Sequence, residues 1–219
     1  SISHVLFSTG MLQPVARMVR VSRERGIVSV IDGAHPPGLL ALDLKTIDAD
    51  YYCASPHKWL LSPKGTGLLV VRPDRIATTW PLIASGNGPD PPTARFDHLG
   101  TITESLLAGL AAAVAFHAAI GREGGEARVR RLGTQLHDAL RGLPTIDVVT
   151  PRAPAMRIGM VAFRSSRESA EALQGRLARA RVRTRRIAEH GLEYLRLSAH
   201  VYTMPRDLER VVGLVAEGG

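Results

Sequence analysis

Apolar and polar positions follow two rhythms along the chain. Over residues 3–7, 27–31, 50–54 and 67–71, apolar side chains come in short runs of the length expected for buried strands. Residues 14–25 carry helical spacing instead, with Pro14 near the start and Gly26 just past the end. This alternation predicts a mostly parallel sheet. Residues 81–98 interrupt it: Gly86, Gly88, Pro89, Pro91 and Pro92 predict a long loop. An almost wholly apolar helix is expected over 104–120 with Thr103 as its cap, then an amphipathic one over 123–140. From Ile146 the texture changes. Short strands over 146–149, 158–163, 182–187 and 194–198 surround a helix over 168–180, and a last helix runs over 205–216. The pattern predicts an α/β chain with a large, mostly parallel-sheet domain over 1–143 and a small α+β domain over 144–219.

Composition narrows the class without naming a function. With 219 residues, 45% hydrophobic and 22% charged, the chain has the balance of a globular protein. The longest apolar stretch, over 106–120, is broken by Gly109 and His117 and falls short of a bilayer span. The single cysteine, Cys53, excludes an internal disulfide, and nothing resembles a secretory signal, so a cytoplasmic location is expected. The chain opens on Ser1, directly into an apolar run, and an initiating segment is expected to precede it. The formal charge of +8 raises nucleic-acid binding as an alternative. Arg181, Arg183 and Arg185 would share one face of a strand, yet no aromatic residues interleave with them to stack bases. A solvated strand face is the better reading of that run. The histidines show no shared metal-ligand spacing, so no metal site is expected.

The chemistry-bearing residues sit where the predicted strands end. The run 27–31 stops at Asp32-Gly33-Ala34-His35, and the run 50–54 stops at Ser55-Pro56-His57-Lys58-Trp59. In open α/β sheets, ligands bind beyond the carboxyl ends of strands. A lysine between an imidazole and an indole is suited to desolvation, which favours the nucleophilic amine. A surface lysine and a turn-forming aspartate are the plain alternatives for each residue taken alone. Together they suggest a lysine that forms a Schiff base with pyridoxal phosphate and a carboxylate that keeps the pyridine nitrogen protonated. Gly65-Thr66-Gly67 offers backbone amides to an anion, which by itself is a weak signal.

Asp32-Gly33-Ala34-His35, then Ser55-Pro56-His57-Lys58-Trp59, then Pro63-Lys64-Gly65-Thr66-Gly67 resemble the class V aminotransferases, with wording closest to isopenicillin N epimerase-like members. Gly100-Thr101 before the apolar helix, Ile120-Gly121 at its end, and residues 195–202 around Arg196 extend the resemblance over essentially the whole chain. It implies the fold of type I pyridoxal-phosphate enzymes. Lys58 would bind the cofactor and shuttle the Cα proton, Asp32 would pair with the pyridine nitrogen, and His35 would sit near the ring hydroxyl. Ser55 and His57 would hold the phosphate, and Arg196 would take the carboxylate of an amino-acid substrate. Thr101 would reach the phosphate of a neighbouring subunit, implying a homodimer with shared sites.

Ile102-Thr103 and Tyr202-Thr203-Met204 depart from the usual family wording. Relatives also carry a long region before the equivalent of Ser1, which supplies further cofactor contacts. The expectation is therefore the C-terminal part of a longer enzyme, or a truncated homologue without activity. Cys53 lies in a predicted strand and is expected to be buried and structural, which disfavours cysteine desulfurase chemistry. Transamination, epimerisation and C–S lysis share the same Cα deprotonation, and all three stay open.

Overall fold

A computed structural model describes residues 1–83, 91–96, 101 and 103–217, which form two compact units. The first comprises Ser1–His4, Pro14–Pro37 and Leu42–Ala119. Its sheet has the order β1 (Ile2–Ser3), β2 (Val30–Asp32), β3 (Tyr51–Ala54), β4 (Leu68–Val71). β1, β2 and β3 are parallel, whereas β4 runs antiparallel to β3 with Ala54 opposite Leu68. The end of β4 at Arg72-Pro73 therefore lies away from the ends of β2 and β3, and its start at Gly65-Thr66-Gly67 lies near them. The sheet is thus mostly parallel, with β4 as its antiparallel member.

α1 (Val15–Glu24) covers the sheet with Val15 and Val19, which pack on Ile31, Tyr52 and Ile47 of α2 (Leu44–Ile47). Gly26, at φ 67°, takes the left-handed conformation just beyond α1. Asp43 caps α2 by accepting from the Lys45 N–H at 3.0 Å. Where β3 begins, buried Asp50 accepts from the N–H and hydroxyl of Ser29 at 2.8 and 2.7 Å. Arg72 and Arg75 close on its other oxygen at 2.9 and 2.6 Å. Burial alone would raise this carboxyl, but the Ser29 donors and the two guanidiniums together hold it well below the usual carboxylate range. This network fastens α3 (Pro73–Ile76) to the strand starts, opposite the end that carries Lys58. α4 (Glu104–Ile120) approaches Pro63 so closely that a Cβ on Gly109 would lie 2.4 Å from the proline ring.

The second unit comprises Val5–Gln13, Gly38–Ala41 and Ile120–Gly219. Its sheet, β5 (Ile146–Val148), β6 (Met160–Ser165), β8 (Tyr194–Ser198), β7 (Arg185–Ile187), is antiparallel throughout. α5 (Arg122–Arg141), α6 (Ala170–Arg179) and α7 (Pro205–Ala216) pack on one face. Leu132, Leu136 and Leu140 of α5 meet Phe163, Leu173, Leu177, Leu195 and Leu197 in a single core. α5 thus packs with the second sheet, and the last segment of the second unit begins at Ile120. Ala162, Ile187 and Tyr194 form a smaller cluster on the other face.

Two sequence expectations change. The run 182–187 is a strand only from Arg185, because Arg181 adopts φ 59° and turns the chain. Arg181, Arg183 and Arg185 consequently do not share one strand face. The run 27–31 contributes only Val30 and Ile31 to β2, since Ile27 and Val28 stay exposed. Most of the loop expected over 81–98 lies outside the described residues. Among those described, no single helix is long and apolar enough to cross a membrane.

Candidate active site

The ends of β2 and β3 bring the two sequence motifs together. Asp32 is the last residue of β2 and pairs in register with Cys53, and Lys58 lies four residues beyond the end of β3. The Asp32 carboxylate is exposed but oriented. One oxygen accepts from the Ala34 N–H at 2.9 Å, and the other accepts from the Ser3 hydroxyl at 3.2 Å. Ser3 is available because β1 places it directly opposite Asp32. The next residue, Gly33, is an obligatory glycine: a Cβ there would fall 2.0 Å from the Tyr52 ring. Its N–H donates to the Cys53 carbonyl at 2.7 Å, carrying the β2–β3 contact one step past the strand.

Residues 55–62 fold back on themselves. The Lys58 N–H donates to the Ser55 carbonyl at 3.3 Å, the Leu61 N–H to the Lys58 carbonyl at 3.3 Å, and the Ser62 N–H to the Pro56 carbonyl at 3.2 Å. His57 and Lys58 point outward while Pro56, Trp59 and Leu60 are buried, so the loop hangs on its apolar members. The indole N–H of Trp59 donates to His35 Nδ1 at 3.0 Å. That bond leaves the His35 proton on Nε2 and ties the aspartate motif to the lysine motif. Thr66 closes the far side, its hydroxyl 3.0 Å from the Ser62 hydroxyl and donating to the Pro63 carbonyl at 3.0 Å.

Beneath the site, His4 Nδ1 and the Tyr52 hydroxyl lie 3.0 Å apart, both buried. Burial pulls His4 down to about 4, and burial, then the Asp32 charge, pushes the Tyr52 hydroxyl far above its ordinary value. Both groups are neutral at physiological pH. His117 of α4 is buried and lowered by that burial, offset in part by a hydrogen bond with the Trp59 backbone.

The structure thus gathers Asp32, His35, Ser55, His57 and Lys58 in the first unit. Thr101 is exposed in that unit, whereas its neighbours Gly100 and Ile102 lie outside the described residues. Arg196 belongs to the second unit. It sits in β8 on the face turned away from α5, α6 and α7, between Ala162 and Arg185 in register. One guanidinium nitrogen donates to the Phe7 carbonyl, and Nε is buried without a partner. Burial, and then the Arg185 charge, lowers this guanidinium from its ordinary value. Among the described residues no carboxylate pairs with it.

Cys53 is exposed, which corrects the expectation of a buried thiol. Strand alternation explains it: Tyr52 faces the core under α1, so Cys53 faces the other way. The thiol is nonetheless held in a paired strand, opposite Leu69. Ser3, His4, Tyr52 and His117 were missed by sequence reasoning, and Trp59 was read as a flank of Lys58 without its bond to His35. No local signal reveals their partnerships, which arise between residues 24 to 58 positions apart.

The sequence profile of the aminotransferase class-V family matches residues 1–211. The chain belongs to that family. Its members depend on pyridoxal phosphate, and the fold is that of the type I enzymes. This class V chain is 34% identical over 228 residues to isopenicillin N epimerase of Streptomyces clavuligerus, covering 95% of the chain and 57% of the relative. The isopenicillin N epimerase of Amycolatopsis lactamdurans is 32% identical over 234 residues, covering 98% and 58%. A solved structure of the cystine C–S lyase C-DES with its product cysteine persulfide matches with a TM-score of 0.89 at 26% identity, covering 100% of this chain and 61% of that one. A lysine-to-alanine variant of C-DES, with glycine covalently linked to its PLP cofactor, matches with a TM-score of 0.89 at 25% identity over 100% and 60%. The chain therefore spans less than two thirds of the length of these relatives.

The residues of this class V chain fit the cofactor. An oriented carboxylate, a fixed imidazole, an outward amine and nearby hydroxyl and imidazole donors leave from neighbouring strand ends. Among the described residues, no group of His, Cys, Asp and Glu is placed to hold a metal.

Proposed function

We propose that this chain carries the cofactor-binding lysine of a pyridoxal-phosphate enzyme that acts at the Cα of an amino acid or amine, as an aminotransferase or epimerase. The observation that carries the reading is the union of two strand-end motifs, with Asp32 oriented by Ser3 and Ala34 and the Lys58 loop tied to His35 through Trp59. When bound, the cofactor supplies an electron sink for the carbanion left at Cα. Lys58 Nζ would hold the cofactor and, when free of it, would move the Cα proton. Asp32 would keep a proton on the pyridine nitrogen, because an opposite charge at contact distance favours the cationic form. His35 would hold the ring hydroxyl, and Ser55 and His57 would hold the phosphate. Arg196 takes the substrate α-carboxylate, a task suited to a planar guanidinium with an unpartnered N–H.

The reading includes a cytoplasmic homodimer in which Thr101 reaches the neighbouring subunit's phosphate. Leu107, Val114 and Phe116 on α4, exposed in the isolated chain, support an interface there. A C–S lyase is the second reading, supported by the match to C-DES along the whole chain. Nucleic-acid binding loses its best support, since Arg181, Arg183 and Arg185 do not share one strand face.

Borohydride reduction of the chain with added pyridoxal phosphate, followed by peptide mapping, tests the assignment. A pyridoxyl group on Lys58, absent from Lys58→Ala of unchanged fold, is the expected result. Labelling elsewhere overturns it, and no labelling identifies a non-catalytic homologue or a need for the remaining length found in relatives. Release of pyruvate and persulfide from cystine would favour the lyase, and inversion or amino transfer the main reading.

A further inference from the structure

The β7–β8 register places Arg185 directly opposite Arg196. Directly opposed residues of an antiparallel pair project from the same face with Cβ atoms about 5 Å apart, and like charges in that position destabilise the sheet. On its other side Arg196 meets only Ala162, which is fully buried and too small to offer a partner. The two arginines therefore project from the same face, the one turned away from the helices, and the Arg185 charge is felt at Arg196. Their polar partners are the Phe7 carbonyl for Arg196 and the Glu189 carboxylate for Arg185. Arg196 keeps a buried N–H without an acceptor, whereas the Arg185–Glu189 pair is open to water at side-chain exposures of 55% and 38%. An exposed pair of this kind holds weakly and exchanges readily.

We propose that Arg185 is a second anion anchor beside Arg196, so that the site prefers amino acids bearing an additional carboxylate beyond the α-carboxylate. This rests on the assignment of Arg196 to the α-carboxylate. A monocarboxylate neutralises one guanidinium and leaves the opposed charge on Arg185 shared with Glu189. A second carboxylate on the ligand displaces Glu189 from Arg185, gains charge-assisted hydrogen bonds and relieves the repulsion across the pair. Glu189 then acts as a competing internal anion that holds Arg185 until such a ligand arrives. No covalent step is involved; the feature selects what binds.

The test is calorimetric binding of L-glutamate and its uncharged isosteres L-norvaline and L-glutamine to the cofactor-loaded chain. Glutamate is expected to bind roughly tenfold or more tightly than either isostere. Arg185→Gln is expected to bring glutamate down to the isostere level while leaving norvaline unchanged. Glu189→Gln is expected to move glutamate the other way, by a severalfold gain, which a purely structural ion pair would not do. Arg196→Gln is expected to weaken all three ligands. Equal affinity of the wild-type chain for glutamate and norvaline, or no detectable binding of glutamate, overturns the proposal. So does an Arg185→Gln variant that retains the preference, or one that weakens norvaline equally. If Arg196→Gln leaves all three ligands unaffected, it is the α-carboxylate assignment that fails. Borohydride labelling of Lys58 reads the cofactor assignment separately from both.

Discussion

At the residue scale, the site depends on buried groups that do no chemistry themselves. The neutral His4–Tyr52 pair lies under Asp32, and its protonation state is set by burial. In the folded chain His4 protonates only near 4, whereas the unfolded chain protonates it near 6.5. Between those values the unfolded state binds more protons, so stability rises with pH across the window and falls as the pH drops through it. The loss is complete below about pH 4 and amounts to at most roughly 3.5 kcal/mol, at about 1.4 kcal/mol per pH unit. The His4 ring protons followed by NMR should titrate near 4. The acid-side decline in urea midpoint should be shallower in His4→Gln. Titration near 6.5 would show that the ring is hydrated and that the pair does not underpin the site. The exposed Cys53 makes a related point, because strand alternation, and not the apolar character of its neighbours, decides which side chains are covered.

At the element scale, two glycines of α5 separate close approach from open space. A Cβ on Gly133 would fall 2.2 Å from the Ile158 carbonyl oxygen, a backbone atom that cannot step aside, whereas Gly124 has nothing within 4 Å. Gly133→Ala should destabilise the chain by about 1–3 kcal/mol. Gly124→Ala should stabilise it by about 0.5–1 kcal/mol through helix propensity. Chemical denaturation of the two variants checks both signs, and a neutral Gly133→Ala would mean that α5 and residue 158 pack less closely than described. Elements with strong periodicity or clear punctuation were legible from sequence. α4 has the predicted bounds, and β8 runs from Tyr194 to Ser198 as expected. The motifs ending β2 and β3 were legible for the same reason, since turn residues mark where a strand stops. Illegible were the direction of β4, a matter of pairing and not of composition, and the turn at Arg181, where a non-glycine residue takes a left-handed conformation. The partners of Asp32 and His35 also escaped, because Ser3 and Trp59 reach them only through register and folding.

At the scale of the molecule, the second unit recruits the early segment Val5–Gln13. The Thr150 hydroxyl donates to the Thr9 carbonyl at 2.6 Å, the Leu12 N–H to the Met156 carbonyl at 2.9 Å, and Arg196 to the Phe7 carbonyl. Gly10, at φ 72°, lies so close to Met160 that a Cβ would meet its carbonyl oxygen at 2.4 Å. A fragment spanning residues 120–217 lacks all of these contacts. It should unfold at lower urea than the same unit within the whole chain, and added peptide 5–13 should restore part of the difference. A fragment as stable as the intact unit would show the early segment to be an ornament. The chain passes between the two units at five places, after His4, Gln13, Pro37, Ala41 and Ala119. Neither unit is one continuous stretch of gene, so a single recombination crossover cannot deliver either of them whole. Lineages that exchange one half for another would have to carry short pieces of the opposite half along, which favours inheritance of the pair as a block.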